Sequence, residues 1–348
     1  MTAVMTVTGP VSAAELGVTL THEHILNDVR SWSHSTSSRG WDPADFATRP
    51  VTPDILWDLK QDPFGNQDNC TLDDHEAAIQ EVARYAALGG RTIVETSGLG
   101  SGRDLAGLAE ISRRTGVNIV AGTGYYLEAS HPAEVAHLDS EHIAERILED
   151  IAHGESGVRP GIIGEIGVSA DFTQAERRSL TGALLAQKET GLPIQVHLPG
   201  WYRLGHEVLD IAEDLDVAME RVVLCHMGPS GADSSYQESL LARGAWLQFD
   251  MIGMEVFYAD QGVQCPSDEQ NAAWLARLIE RGHAAQLLIS QDIFLKSLLR
   301  SHGGPGYGHI LQYFIPRMHR HGIDRRTTDQ LLIDNPRALF EGRVAFTD

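Results

Sequence analysis

Two histidines one residue apart, His22 and His24 in THEH, open a series of ligand-type side chains that runs the length of the chain. Glu165 stands in GIIGEIG, His197 in VHLPG, His226 in LCHMG and Asp292 in ISQD. Neutral imidazole and carboxylate together suit zinc, manganese, cobalt or iron(II). Two such ions held about 3.5–4 Å apart need an anion between them, and a carboxylate spans that gap. Glu165 is assigned the bridge, His22, His24 and Asp292 one ion, and His197 and His226 the other. Water shared by two cations loses a proton near neutral pH. Asp292, facing that hydroxide, can take the proton and pass it to a leaving group. Two divalent ions, two carboxylates and one hydroxide sum to about +1, enough to polarise a carbonyl or phosphoryl oxygen.

There are 16 histidines, so number alone selects none of them; placement does. Each of the six residues ends a short apolar run. Strands are predicted at 18–23, 91–96, 118–122, 161–166, 193–198, 221–226, 245–250 and 286–291. Side chains alternate along a strand, so His22 and His24 share one face and Glu23 takes the other. Amphipathic stretches separate the strands. Thr71 with Asp74 approximates a capping box before Ile79, Val82, Ala83 and Ala86, and Gly89-Gly90 stops that helix. Thr173 and Glu176 mark a second helix start ahead of Leu180, Ala183 and Leu184, and Ile143, Ile147, Leu148 and Ile151 form another apolar stripe.

Eight strand–helix units predict an α/β fold: a single (β/α)8 TIM barrel spanning residues 1–348, with long βα loops 1, 7 and 8 and a helical C-terminal tail. Barrel enzymes place their sites at the C-terminal strand ends, where these six ligands fall. Residues 25–70 form a polar insertion after the first strand, read as a loop or lid, and residues 251–270 a shorter one after the seventh. The tail beyond 306 is bent or broken at Pro316 and ends in a short helix near 336–341. GLGSGRD at 98–104 follows the second strand with the wrong spacing for a dinucleotide fingerprint and is read as a tight βα loop.

The balance of 27 basic and 48 acidic residues gives 27 − 48 = −21. So acidic a surface repels nucleic acid and anionic membrane, which leaves a small-molecule substrate as the expected partner. Cys70, Cys225 and Cys265 are scattered and odd in number, which argues against a disulfide framework and a cysteine zinc site. No basic start with a long apolar run, and no run of about 18 apolar residues, marks a signal peptide or membrane span, so the cytoplasm is expected.

THEH, GIIGEIG, VHLPG, LCHMG and ISQD, in this order, resemble the phosphotriesterase-related family of the amidohydrolase superfamily. RTIVETSGLGSGRD at 91–104, GTGYY at 122–126, GGPGYGHIL at 303–311 and NPRALF at 335–340 extend the resemblance from about residue 7 to the end. It implies the barrel, a binuclear site (commonly zinc), hydrolysis of ester-like bonds and a homodimer. It carries the metal roles above onto the same six residues. The founding phosphotriesterases bridge their metals with a carboxylated lysine, whereas this chain resembles the subset with glutamate there, at Glu165. In SQD, many relatives have His or Asn where Gln291 stands.

Tyr125 and Tyr126 follow the third strand and can overhang the metals. Arg203 and His206, beyond VHLPGW, and Lys296, four residues past Asp292, are candidates for an anionic substrate group. Trp32, Trp41, Trp201, Met254, Phe257 and Tyr258 are candidates for an apolar mouth. The expected activity is hydrolysis of a small carboxylic ester or lactone, its carbonyl attacked by the metal-bridging hydroxide. The alternatives are a small N-acyl amide of the N-acyl taurine or amino acid type, and a phosphotriester as a side activity. A metal-retaining binding protein without catalysis would be expected to lack Asp292.

Overall fold

The eight apolar runs form eight parallel strands: β1 (Thr19–Glu23), β2 (Thr92–Glu95), β3 (Asn118–Thr123), β4 (Ile162–Ile166), β5 (Ile194–Val196), β6 (Val222–Leu224), β7 (Trp246–Phe249) and β8 (Leu287–Ile289). The computed structural model describes residues 2–34 and 45–342. Neighbours in the sheet are neighbours in sequence. The two ends of the sheet meet just past β8, where the Asp292 N–H donates to the His22 carbonyl at 3.2 Å and the His24 N–H to that of Ile293 at 3.3 Å. The result is a TIM barrel.

Helices α1 (His75–Ala87), α2 (Leu105–Thr115), α3 (Ser140–His153), α4 (Gln174–Thr190), α5 (Gly205–Asp214), α6 (Ser234–Leu241) and α7 (Asp268–Glu280) cover the outside. The capping box of α4 forms as the sequence predicts, with both reciprocal Thr173–Glu176 bonds present. The start of α1 differs. Asp74 is itself the N-cap, accepting from the Ala77 N–H, while Thr71 lies in a two-residue strand paired with Asn27–Asp28. An extended Thr71 cannot also be a helix cap. The buried stripe of α1 runs through Tyr85 rather than Ala83, because the Tyr85 hydroxyl donates to the Val18 and Thr92 carbonyls at 2.9 and 3.2 Å.

Below the site the barrel is filled by apolar side chains. Val94, Val120 and Ile162 pack with Val4, Leu16 and Phe340, and Val223, Trp246 and Leu288 with Leu339. The N-terminal hairpin (Ala3–Thr6 with Gly9–Ser12) and the last helix, Asn335–Glu341, supply those plugs. The tail is helical as predicted. At Pro316 a π-turn, Ile310–Phe314, runs directly into Ile315–Arg320, so the missing proline N–H falls in that helix's first turn. Loop 7 carries a small hairpin, Phe257–Tyr258 with Val263–Gln264. In the insertion after β1, Phe46, Val51, Ile55 and Leu59 make a small core of their own. No described helix is long and apolar enough to cross a membrane.

Candidate metal centre

Six side chains from four strand ends (β1, β4, β5 and β6) and the segment after β8 converge where the sequence predicts ligands. The Glu165 carboxylate is the hub. Its Oε1 lies 2.7 Å from His226 Nε2, 3.2 Å from His197 Nδ1 and 3.5 Å from His22 Nε2. Asp292 Oδ1 stands 3.3 Å from His24 Nε2 and 3.6 Å from His22 Nε2. All six are buried. Backbone geometry aims them. Gly164 has φ +113°, and a Cβ there would come within 2.4 Å of the Gln195 carbonyl, so only glycine lets β4 approach β5 just before Glu165. His226 and Asp292 sit at φ +58° and +53°, a left-handed turn that costs a side-chain-bearing residue about 1 kcal/mol and is kept where function over-determines it.

The outer nitrogens are held as firmly as the inner ones are gathered. His22 Nδ1 lies 2.8 Å from Gln195 Oε1, His24 Nδ1 2.9 Å from Ser97 Oγ, and His226 Nδ1 2.9 Å from Asp250 Oδ1. Ser97 in turn donates to Glu95 Oε1 at 2.6 Å. Donation outward from Nδ1 leaves each Nε2 with its lone pair facing inward, the tautomer a metal ligand needs.

The electrostatics ask for positive charge. Burial works against an ionised Glu165, yet His22, His197 and His226 outweigh it and hold the carboxyl well below its ordinary range. Burial likewise opposes a charged His226, but Asp250 and Glu165 push its proton affinity well up; for His24, burial is outweighed by Asp292 and the proton affinity is raised. His197 goes the other way, lowered by burial. His22 Nε2 is buried without a hydrogen-bond partner, and His226 Nε2 lies 2.8 Å from His197 Nδ1. Two imidazole nitrogens in contact and an orphaned third, all against a carboxylate, fit divalent cations. Among the described residues, His22, Glu165 and His226 form one group able to hold a metal ion, and His22, His24 and Asp292 another.

A third group, His22, Cys225 and Asp250, is already filled. The Gln248 amide nitrogen stands 3.0 Å from His22 Nδ1, 3.4 Å from Cys225 Sγ and 3.2 Å from Asp250 Oδ2, in the space an ion would need. Glu23 faces away from the cluster, as strand alternation predicts. It accepts from Ser290 Oγ and the Gln291 and Ile293 N–H groups, and burial raises its pKa to about 8. Gln291 turns outward too, accepting from the Ile310 N–H at 2.8 Å, so this departure from the relatives does not touch the cluster.

Above the cluster lies a cavity of about 640 Å³. Trp32, Phe64, Tyr126, Trp201, Tyr258 and Phe294 make its aromatic walls. Tyr126 reaches the floor, its hydroxyl 3.2 Å from His197 Nδ1. Tyr125 does not line it; that ring is buried beside His131. None of the described lining residues is lysine or arginine. Arg203 is turned away, paired with Asp233 at 3.3 Å and laid over the Tyr236 ring. His206 bonds Ser239 and Arg243, and Lys296 is tied to Asp68. Met254 lies beneath Tyr258, whose hydroxyl meets its sulfur at 3.0 Å; Phe257 is not in the wall, and Trp41 lies outside the described residues.

The model of the phosphotriesterase family matches residues 2–340. The chain belongs to that family. The family is metal-dependent, and membership makes this protein a hydrolase. N-acetyltaurine hydrolase of Tetraodon nigroviridis is 33% identical over 339 residues, 96% of each chain. A solved structure of a resiniferatoxin-binding protein from Rhodobacter sphaeroides is 47% identical with a TM-score of 0.94, covering 97% of this chain and 94% of that one. The phosphotriesterase from Mycobacterium tuberculosis is 28% identical with a TM-score of 0.75, covering 97% and 98%.

Sequence reasoning passed over Phe64, Phe294, Ser97, Gln195, Gln248 and Asp250. Asp250 had a usable signal, a carboxylate closing an apolar strand in LQFD as Asp292 closes ISQD. The two phenylalanines had none, since loop packing alone brings them to the wall.

Proposed function

We propose that this protein hydrolyses a small, uncharged carboxylic ester or lactone with an apolar or aromatic portion. One observation carries the reading: an aromatic cavity, without a described lysine or arginine in its wall, opens onto the carboxylate–histidine cluster. An anionic substrate end would find no lysine or arginine among the described residues of the wall and would meet Asp171 and Asp260 there. An aromatic or aliphatic group would exchange water for ring faces. The relative named for binding resiniferatoxin is compatible with such a cavity.

The donor set suits two divalent ions, zinc first and manganese, cobalt or iron(II) as alternatives. In the proposed arrangement His22, His24 and Asp292 would hold one ion and His197 and His226 the other, with the Glu165 carboxylate available to both. Bound cations would supply Lewis acidity and a lowered water pKa. The chain supplies the rest. Asp292 Oδ accepts the proton released during attack and returns it to the departing oxygen. The Tyr126 hydroxyl is placed to donate to the substrate carbonyl oxygen. The aromatic walls keep bulk water from competing for those bonds. Glutamate at 165 supplies its single negative charge without carbon dioxide.

A second reading is favoured by one finding. Relatives 33% identical over nearly their whole length are named N-acetyltaurine hydrolases, which supports amide hydrolysis. Phosphotriester cleavage ranks third, as a side activity. Initial rates on one metal-loaded sample with a lactone, an aryl ester, an N-acyl amino sulfonate and a paraoxon-like triester separate them. The lactone or aryl ester is expected to lead by about tenfold or more in kcat/KM, the scale of one well-filled apolar contact. A faster sulfonate amide would replace this reading with the second.

A further inference from the structure

Beneath the six ligands, one carboxylate touches the machinery from below. Asp250, just past the end of β7, is fully buried and has no part in the proposed chemistry. Its two oxygens embrace His226. Oδ1 receives the ring Nδ1–H at 2.9 Å, and the His226 backbone N–H falls 3.0 Å from Oδ1 and 3.1 Å from Oδ2. That backbone is the left-handed one, φ +58°. The same side chain that fixes the ring therefore also holds the strained turn that presents it. On its other side Oδ2 accepts from Gln248 Nε2 at 3.2 Å, and that amide donates on at 3.3 Å to Gln195 Oε1, the oxygen that also accepts the His22 Nδ1–H at 2.8 Å. Oδ2 is itself 3.6 Å from His22 Nδ1. His22 lies on β1 and His226 just past β6, on different sides of the barrel, and Asp250 with Gln248 is where their outer edges meet.

We propose that Asp250 is a positioning residue for the metal centre: it aims His226, ring and backbone together, and through Gln248 couples that aim to His22. A carboxylate behind a ligating imidazole fixes the tautomer and raises ligand basicity, and losing it typically lowers metal affinity about 10- to 100-fold. Here one carboxylate serves ligands assigned to different ions. Weakening it should therefore disturb both positions, not one.

The inference rests on the metal-centre reading, and the test keeps the two apart. Wild type, Asp250→Asn and Gln248→Met are stripped with chelator, reloaded with Zn²⁺ or Co²⁺, and titrated against a metal-binding competitor, with circular dichroism reporting the fold. In Asp250→Asn one oxygen becomes an NH2 that must face either the Gln248 amide or the His226 N–H groups, donor against donor. It should keep the fold and lose about 10- to 100-fold in affinity for both ions, with altered absorption bands of the Co²⁺ form. Gln248→Met breaks the connection from Asp250 towards His22 but leaves the Asp250 bonds to His226, and should weaken the His22 position more than the His226 position, by a smaller factor. Should Asp250→Asn fail to fold, Gln248→Met decides. Wild-type affinity and Co²⁺ spectrum in a folded Asp250→Asn would overturn the proposal, as would an unchanged Gln248→Met. Wild type that binds neither ion would sink the metal centre itself.

Discussion

The floor and the walls of the cavity are built on different principles. The floor is made of strand ends. His22, Glu165, His197 and His226 lie in or within two residues of the ends of β1, β4, β5 and β6, and each of His22, His24 and His226 has its outer nitrogen engaged. The walls are made of loops. Trp32 and Phe64 come from the insertion after β1 and stack 5.2 Å apart, Tyr258 comes from the loop 7 hairpin, and Phe294 follows β8. Hydrogen-bonded strands allow few positions to a side chain, whereas loops set theirs by mutual packing. The floor should therefore determine whether a bond is cleaved, and the walls which molecule presents it.

Changes in the floor should have the largest effects. Glu165→Ala removes the one oxygen that lies within 3.5 Å of three histidines and should abolish both metal retention and turnover, read by elemental analysis and initial rate. Added bicarbonate should leave wild-type activity unchanged, because no lysine awaits carboxylation; stimulation would argue against Glu165 as the bridge. Asp292→Asn should fold normally and lose about 10²–10⁴ in kcat, the range for a removed acid–base group. Equal activity would take the proton-transfer role away from Asp292.

Changes in the walls should sort substrates instead. Trp32→Ala removes a ring stacked on Phe64 and should raise KM about tenfold for aryl esters while changing kcat little, worth about 1–2 kcal/mol of lost aromatic contact. A loss confined to kcat would mean that the wall also shapes the floor. Smallest of all, Lys296→Met should leave kcat/KM unchanged, because its ammonium is committed to Asp68. Burial pushes the Asp68 carboxyl up, but Lys296 and the Val51 N–H outweigh it and hold it below its ordinary value. A depressed carboxyl stabilises the fold above the ordinary aspartate pKa and loses that contribution as pH falls through the lowered one. Thermal melts should show the variant less stable by under about 1 kcal/mol near neutrality, with the difference closing in acid. A large loss of activity would restore Lys296 as a substrate contact.

The same division explains what could be read from the sequence. All eight strands lie where the apolar runs predict, and the six candidate ligands stand at or shortly beyond strand ends; left-handed turns set the direction of His226 and Asp292, while period-two alternation fixes that of His22. Glu23 turned away from His22 and His24 for that reason. Arg203 and Lys296 could not be placed this way. Which carboxylate captures a loop cation depends on contacts such as Asp233 and Asp68, distant from it in sequence. Tyr125 and Tyr126 differ by one residue and take opposite roles, one packed by His131 and one over His197, a choice made by the turn after β3. Asp250 was legible by its position, closing the apolar run LQFD, but its contacts with the Gln248 amide and two histidines are set by the fold and not by the sequence pattern.

Turnover by this protein should depend on divalent metal held by the six gathered side chains. Chelator-stripped protein, followed by titration with Zn²⁺ while bound metal and turnover of an aryl ester are read on the same samples, tests that most directly. Turnover should vanish on stripping and return as two ions per chain are taken up. Full turnover with no metal bound would contradict it.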